Sequence, residues 1–246
     1  RDGEGQFIFT GSAVPADTDK IHHSGTGRFA WLTMRTMSLY ESGESTGEVS
    51  LNELFSNPNA DVFGKSNLNI DSIAWLICRG GWPRATTISK DVALDMAYRY
   101  YEAVVNNDIS RVDNVKRDAE RTKRILRSIA RNQCAQISVN TICADIENND
   151  TISANRMTIA SYIEALKKIF VLEDSIAWNP NLRSKTAIRS SETRYFSDPS
   201  IGVAALGVGP NDLINDLSTM GLFFESMCVR DLRVYADALE GSVYHY

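Results

Sequence analysis

Histidine, cysteine and proline are scarce in this sequence, with three, four and six among 246 residues. Cys78, Cys134, Cys143 and Cys228 form no C-x-x-C pair and sit in apolar contexts. That spacing excludes a zinc ribbon or a disulfide framework and leaves buried free thiols in a cytoplasmic setting. The neighbouring His22 and His23 would point apart on an extended chain, so they share no metal and no metal site is expected. No apolar run approaches the roughly 18 residues of a membrane span, and Arg1 opens no signal peptide, so no membrane partner is expected. A complete phosphate loop is also missing. Residues 63–66 read FGKS, but the first glycine of G-x-x-x-x-G-K-[ST] would fall on Asn59, and the preceding Asn57-Pro58 is no buried strand; the match reads as a surface turn. No apolar run ends in paired acids to supply a magnesium site. Overall basicity is lacking too: the net charge of -5 excludes a generally basic nucleic-acid coat and leaves only local patches.

What is present includes a 43% hydrophobic content, enough to bury a substantial core across two domains. Residues 116–200 form the clearest unit. Ile125, Leu126, Ile129 and Ala130 mark one helical stripe. Val139, Ile142, Cys143 and Ile146 mark a second, capped by Ser138. Ile159, Tyr162, Ile163, Leu166, Ile169 and Phe170 mark a third, starting near Ser153. Residues 170–172 then read as a strand and residues 194–197 as its partner, with a long basic connection between. Three helices followed by a strand, a long loop and a strand is the order of a winged helix.

Elsewhere, Phe7, Ile8 and Phe9 read as a buried strand of a parallel sheet ending in Thr10, Gly11 and Ser12. Residues 28–34 read as a second strand, closed by residues 37–43. Helical spacing recurs over residues 51–55, 70–78 and 91–105, interrupted at Gly80-Gly81-Trp82-Pro83. After Gly207-Val208-Gly209-Pro210 comes a long helix in which Leu222, Phe223, Met227, Leu232, Val234 and Tyr235 dominate. Residues 243–246 open a strand.

The segments QFIFTGSA (6–13), GRFAWLTM (27–34), MSLYESG (37–43), GGWP (80–83), VNNDIS (105–110), RSIARN (127–132), WNPNLRSK (178–185), YFSDPS (195–200) and GLFFE (221–225) occur in order along nearly the whole chain. In these segments the sequence resembles prokaryotic AAA-type ATPases that carry a C-terminal domain of unknown function. The resemblance implies an α/β fold, mainly helical over these residues. Residues 1–50 would be the last part of an ATPase core, 51–115 lid helices, 116–206 a winged helix and 207–246 the start of a nuclease-like domain. It also implies that the family's phosphate loop and acidic metal-binding strand lie upstream, so ATP and magnesium belong to the full-length family and no cofactor to these residues. By the same resemblance, Thr10 and Ser12 stand where a sensor would report on the third phosphate, or simply end a strand. Arg28 stands where a finger would reach a neighbouring subunit's nucleotide, or forms a structural ion pair. Glu225 and Asp231 lie on the long helix, where a nuclease-like fold can use a carboxylate to complete a metal site; Glu225 alone makes no active nuclease, and its other reading is a helix-capping or docking role.

Seven basic residues between positions 116 and 131 face only Asp118 and Glu120. Arg183, Lys185, Arg189 and Arg194 add charge where a wing would project, and Arg156 and Lys167 lie on the third helix. These are the candidate DNA contacts, although Glu164 on the same helix is unwelcome beside a phosphate. The sequence therefore leads to a regulatory and interaction module of the ATPase family without turnover of its own, open to self-association, with a DNA-binding accessory protein as the alternative.

Overall fold

The computed structural model describes residues 7–12, 30–59, 61–147, 155–180 and 191–246. The architecture is mainly helical, with one small antiparallel strand pair. Helix α1 (Leu51–Ser56) and helix α2 (Ile70–Arg79) come first, followed by a 3-10 turn at Pro83–Thr86. Helix α3 (Lys90–Ala103) runs through a π turn at Val104–Asp108 into the short Ile109–Arg111. Helices α4 (Ala119–Arg131), α5 (Val139–Glu147) and α6 (Arg156–Lys168) lead to strands β1 (Leu172–Ser175) and β2 (Thr193–Phe196). Helices α7 (Pro199–Leu206), α8 (Pro210–Asn215) and α9 (Leu217–Ala238) follow.

Short polar side chains start these helices. Asp118 accepts from the Arg121 amide at 2.7 Å, Ser138 from Thr141 at 3.1 Å, Asn155 from Met157 at 2.8 Å and Asp216 from Thr219 at 3.1 Å. Each satisfies a donor that the first helical turn leaves free. The expected stripes are the buried ones: Ile125, Leu126, Ile129, Ile142, Ile159 and Leu166 have no more than 1% exposure. One apolar cluster draws on α2, α3, α4, α5, α6, both strands, α7, α8 and α9. Residues on both sides of 115/116 and of 206/207 contribute to this cluster.

Several local expectations change. Helix α6 is capped by Asn155, and Ser153 lies outside the described residues. The strand expected from residue 170 begins at Leu172, because α6 ends in a left-handed Phe170 (φ 57°) whose neighbour Val171 donates back to the Leu166 carbonyl at 2.9 Å. Strand β1 pairs antiparallel with β2, Leu172 opposite Phe196 and Ser175 opposite Thr193. No parallel sheet occurs among the described residues. Residues 7–9 and 30–34 are irregular, and Phe7, Ile8, Phe9, Trp31, Leu32 and Met34 are all strongly exposed. A strand forms only where a neighbour exchanges backbone hydrogen bonds with it. Residues 37–43 close into a turn, with the Ser42 amide on the Ser38 carbonyl at 3.0 Å. At the other end, residues 243–246 make one parallel bridge, His245 to Ala177. On α9, Phe223 and Met227 are buried as expected, while Leu232 is exposed and Arg230, Asp231 and Arg233 point inward instead.

Helix α7 contains a glycine that tests this packing. A β-carbon on Gly202 would stand 2.6 Å from the Phe223 ring and 2.9 Å from the Phe196 ring, both fully buried. Alanine should gain roughly 1 kcal/mol from helix propensity and lose about 1–3 kcal/mol to overpacking. Gly202→Ala is therefore expected to lower the urea midpoint with an unchanged m-value, and a raised midpoint would show that the rings have room to yield.

Candidate functional site

The most concentrated polar chemistry surrounds Asp198, the residue that caps α7. Its carboxylate is completely buried and takes five donors. The Gly81 amide donates at 2.8 Å, the Thr36 hydroxyl at 2.7 Å and an Arg230 Nη at 3.1 Å. The Ser200 amide and hydroxyl donate at 3.0 and 2.5 Å. Burial alone pushes this carboxyl up, but Arg230, Ser200, Gly81 and Thr36 outweigh it and hold the group below the usual carboxylate value. Arg230 gives its other two nitrogens to Asp231 at 2.9 and 2.7 Å, and Asp231 also accepts the Leu39 amide at 3.0 Å. Burial raises the Asp231 carboxyl.

Around this hub the residues 35–45 form a strap. The Met37 amide donates to the Gly81 carbonyl at 2.7 Å, so close that a β-carbon on Gly81 would lie 2.8 Å from the Met37 nitrogen. Gly80 ends α2 at φ 71°, a conformation open to glycine. Arg79 is buried on Glu44 and Ser42, while the Trp82 indole donates to Ser200 at 3.0 Å. Arg35 forks onto Glu173 at 3.0 and 2.6 Å and also meets Asp237. Arg35, Glu173, Arg233 and Asp237 line a cleft of about 210 Å³ between β1, the end of α9 and the tail. Both guanidiniums there are already engaged by carboxylates or a carbonyl.

The strand pair carries a second charged knot. Asp174 receives Arg194 through two bonds of 3.0 Å and Lys167 at 2.6 Å. Burial would raise its carboxyl, but Arg194 and Lys167 together lower it. Lys167 and Arg194, two of the candidate DNA contacts, are thus turned onto an acid. Arg156 is exposed at the start of α6. Arg183, Lys185 and Arg189 lie outside the described residues, as does Arg28. Thr10 and Ser12 are exposed in irregular chain. Glu225 accepts from the Tyr195 hydroxyl at 3.1 Å; burial, Cys134 and Glu225 push the Tyr195 phenol up. Residues 63–66 have no regular secondary structure, and the Lys65 amide donates to the Glu48 carboxylate at 2.8 Å. Among the described residues no group of three His, Cys, Asp or Glu side chains could hold a metal, and no helix is long and apolar enough to cross a membrane. Cys78 is buried, with its thiol pushed up to about 12 by burial and Asp212, and the other three cysteines are part-buried.

Residues missed in the sequence are Asp198, Arg230, Arg79 and Arg35, and Asp231 was placed on its helix without this role. Their one local sign was Asp198 ahead of Pro199 and Ser200, the pattern of a helix cap.

A buried charge hub clasping an irregular strap onto a helical body is the class of structure this geometry defines. Residues 70–212, more than half of the chain, match the model of a family described as "Domain of unknown function (DUF8612)", and the chain belongs to that family. No curated protein and no solved structure matches it. The family stretch holds Gly81, Trp82, Asp198 and Ser200, whereas Thr36, Leu39, Arg230 and Asp231 lie outside it.

Breaking the hub should be costly, because one buried partner is left uncompensated. Asp198→Asn is expected to lose about 3–5 kcal/mol in urea unfolding at neutral pH. The pH dependence has a definite sign. Asp198 has a lowered folded-state value, so its stabilisation is complete above the ordinary 3.8 and fades as pH falls from there through the lowered value. Asp231, raised by burial, works in the opposite direction. Asp198→Asn should therefore also flatten the loss of stability on acidification, and an acid limb as steep as the wild type's would remove Asp198 from it.

Proposed function

We propose that this chain is a regulatory and interaction module of an AAA-type ATPase-family protein, with no nucleotide turnover by its own residues. The observation that carries this reading is the convergence of three of the segments that bear the family resemblance. Residues 37–43, 80–83 and 195–200 meet at the Asp198–Arg230–Asp231 hub. Both Asp198 oxygens and all three Arg230 guanidinium nitrogens are spent on other protein groups there. Catalytic groups need an open valence toward substrate, whereas groups that hold a strap to a body need none. The exposed apolar side chains of residues 7–9 and 31–34 add a surface suited to docking or self-association. Four free thiols fit a cytoplasmic setting.

A second reading rests on the chain order. Helices α4, α5 and α6 followed by β1 and β2, with Ala135 bridging to Arg194 on the outer edge of β2, is the order of a winged helix. Such a domain would use its wing and third helix on DNA as an accessory factor.

The first reading expects no heat when magnesium and ATP are titrated into the chain and no phosphate release above background. Sub-millimolar ATP binding would overturn it. The second expects a salt-steep duplex affinity that falls severalfold in Arg183→Ala/Lys185→Ala, and an affinity untouched by that pair would dismiss the wing.

A further inference from the structure

Positive charge is unevenly placed along this acidic chain. Residues 116–194 carry fourteen Lys and Arg against nine Asp and Glu, while all other residues carry twelve against twenty-two. Within that cationic unit the structure spends some cations and leaves others. Lys167 and Arg194 are on Asp174, and Arg117 is buried on Asp113 and the Ile109 carbonyl. Lys123 stands 3.6–3.8 Å from Glu120 and Glu102, at the start of α4. By contrast, no ion pair among the described residues engages Lys116, Arg121, Arg127 or Arg131.

Two of these cations, Arg127 and Arg131, share the outward side of α4. Its inner side buries Thr122, Ile125, Leu126, Ile129 and Ala130, which leaves Glu120, Arg124, Arg127 and Arg131 on successive turns about 5 Å apart along the opposite side. Arg127 and Arg131 are exposed, as is Lys116 just before the helix. Arg127 and Arg131 outnumber Glu120, the one acid on this ridge, and Glu120 is itself near Lys123. The ridge itself exposes no apolar side chain, and an interface between proteins usually has an apolar centre. Nucleic-acid interfaces are instead polar and strongly positive.

We infer that the outward ridge of α4, centred on Arg127 and Arg131, binds the phosphate backbone of duplex DNA without regard to base sequence. Guanidiniums suit phosphate oxygens through paired hydrogen bonds, and contacts of this kind hold a protein on a duplex without reading bases. The inference is independent of the winged-helix reading. That reading puts the contact on the wing and third helix, where Lys167 and Arg194 are already paired.

The test is fluorescence anisotropy of the full chain with a duplex of about 20 base pairs and arbitrary sequence, between about 50 and 200 mM salt. Each phosphate contact contributes about 0.9 to the slope of log affinity against log salt, so Arg127→Gln/Arg131→Gln should reduce that slope by roughly 2. Lys65→Ala/Arg84→Ala, two exposed cations outside α4 and the winged-helix unit, should leave it unchanged. Circular dichroism melting verifies that both exposed pairs of substitutions still give a folded chain. The inference is overturned if the wild type shows no salt-dependent binding, or if the ridge variant keeps its slope. A slope that falls only in Arg183→Ala/Lys185→Ala overturns it in favour of the wing. Competition by poly-glutamate equal to that by duplex, at matched charge, overturns it in favour of an acidic protein partner.

Discussion

The arrangement depends on one carboxylate kept charged where water does not reach. Leaving Asp198 unpaired in that position would cost several kcal/mol, so its environment has to supply both counter-charge and donors. Arg230 supplies the charge, and Thr36, Gly81 and Ser200 supply the rest. Those groups come from the strap, the end of α2, the start of α7 and the middle of α9. Satisfying one side chain therefore fixes the relative position of four chain segments. Arg230 relays the constraint to Asp231, which holds the Leu39 amide, so the strap is gripped both by the cap of α7 and by α9. The strap needs no regular secondary structure because side chains, rather than a ladder, take up several of its polar groups.

Asp174 plays a comparable part at the strand pair. It lies on β1, directly opposite Arg194 on β2, and Lys167 reaches it from the last turn of α6. The hairpin is thereby tied to the helix that precedes it, at a place where four-residue strands alone offer few hydrogen bonds. Fixing that geometry consumes two cations that charge counting assigns to a DNA contact. Both knots follow one rule: a charge that is mostly buried has been committed to architecture.

The helices were legible because burial imposes a 3.6-residue period that a one-dimensional pattern preserves. Ile125, Leu126, Ile129, Ile142, Ile159 and Leu166 were identified as inward residues, and they are. Residues 30–34 and 37–43 misled the reading because apolar and polar residues mixed at short range look like a strand, whereas pairing depends on a partner that local pattern cannot name. The hub was invisible for a related reason. The periodicity of the long helix gives Arg230 and Arg233 no inward role, and nothing local reveals that Asp198, thirty-two residues earlier, faces Arg230. What the sequence did offer was the set of segments around Met37, Gly80 and Asp198, and these are the ones that converge.

Arg117 shows how a single stretch of basic sequence divides into two roles. It follows Lys116 and precedes Arg121, and composition treats the three alike. Its guanidinium, however, reaches the Ile109 carbonyl at 2.8 Å, forks onto Asp113 at 2.7 and 2.8 Å, and touches Ser161 at 3.2 Å. It also lies over the Tyr162 ring, whose hydroxyl takes the Asp118 amide at 2.9 Å. Arg117 thus welds the end of the α3 segment to α6 and sets where α4 begins. Further along α4, Arg127 and Arg131 instead present their charges to solvent. The long-range attraction available to a polyanion comes from those remaining groups, since a guanidinium already matched to a carboxylate adds almost no net field. In this chain the cations free to act on a partner are those whose donors the fold has left unspent.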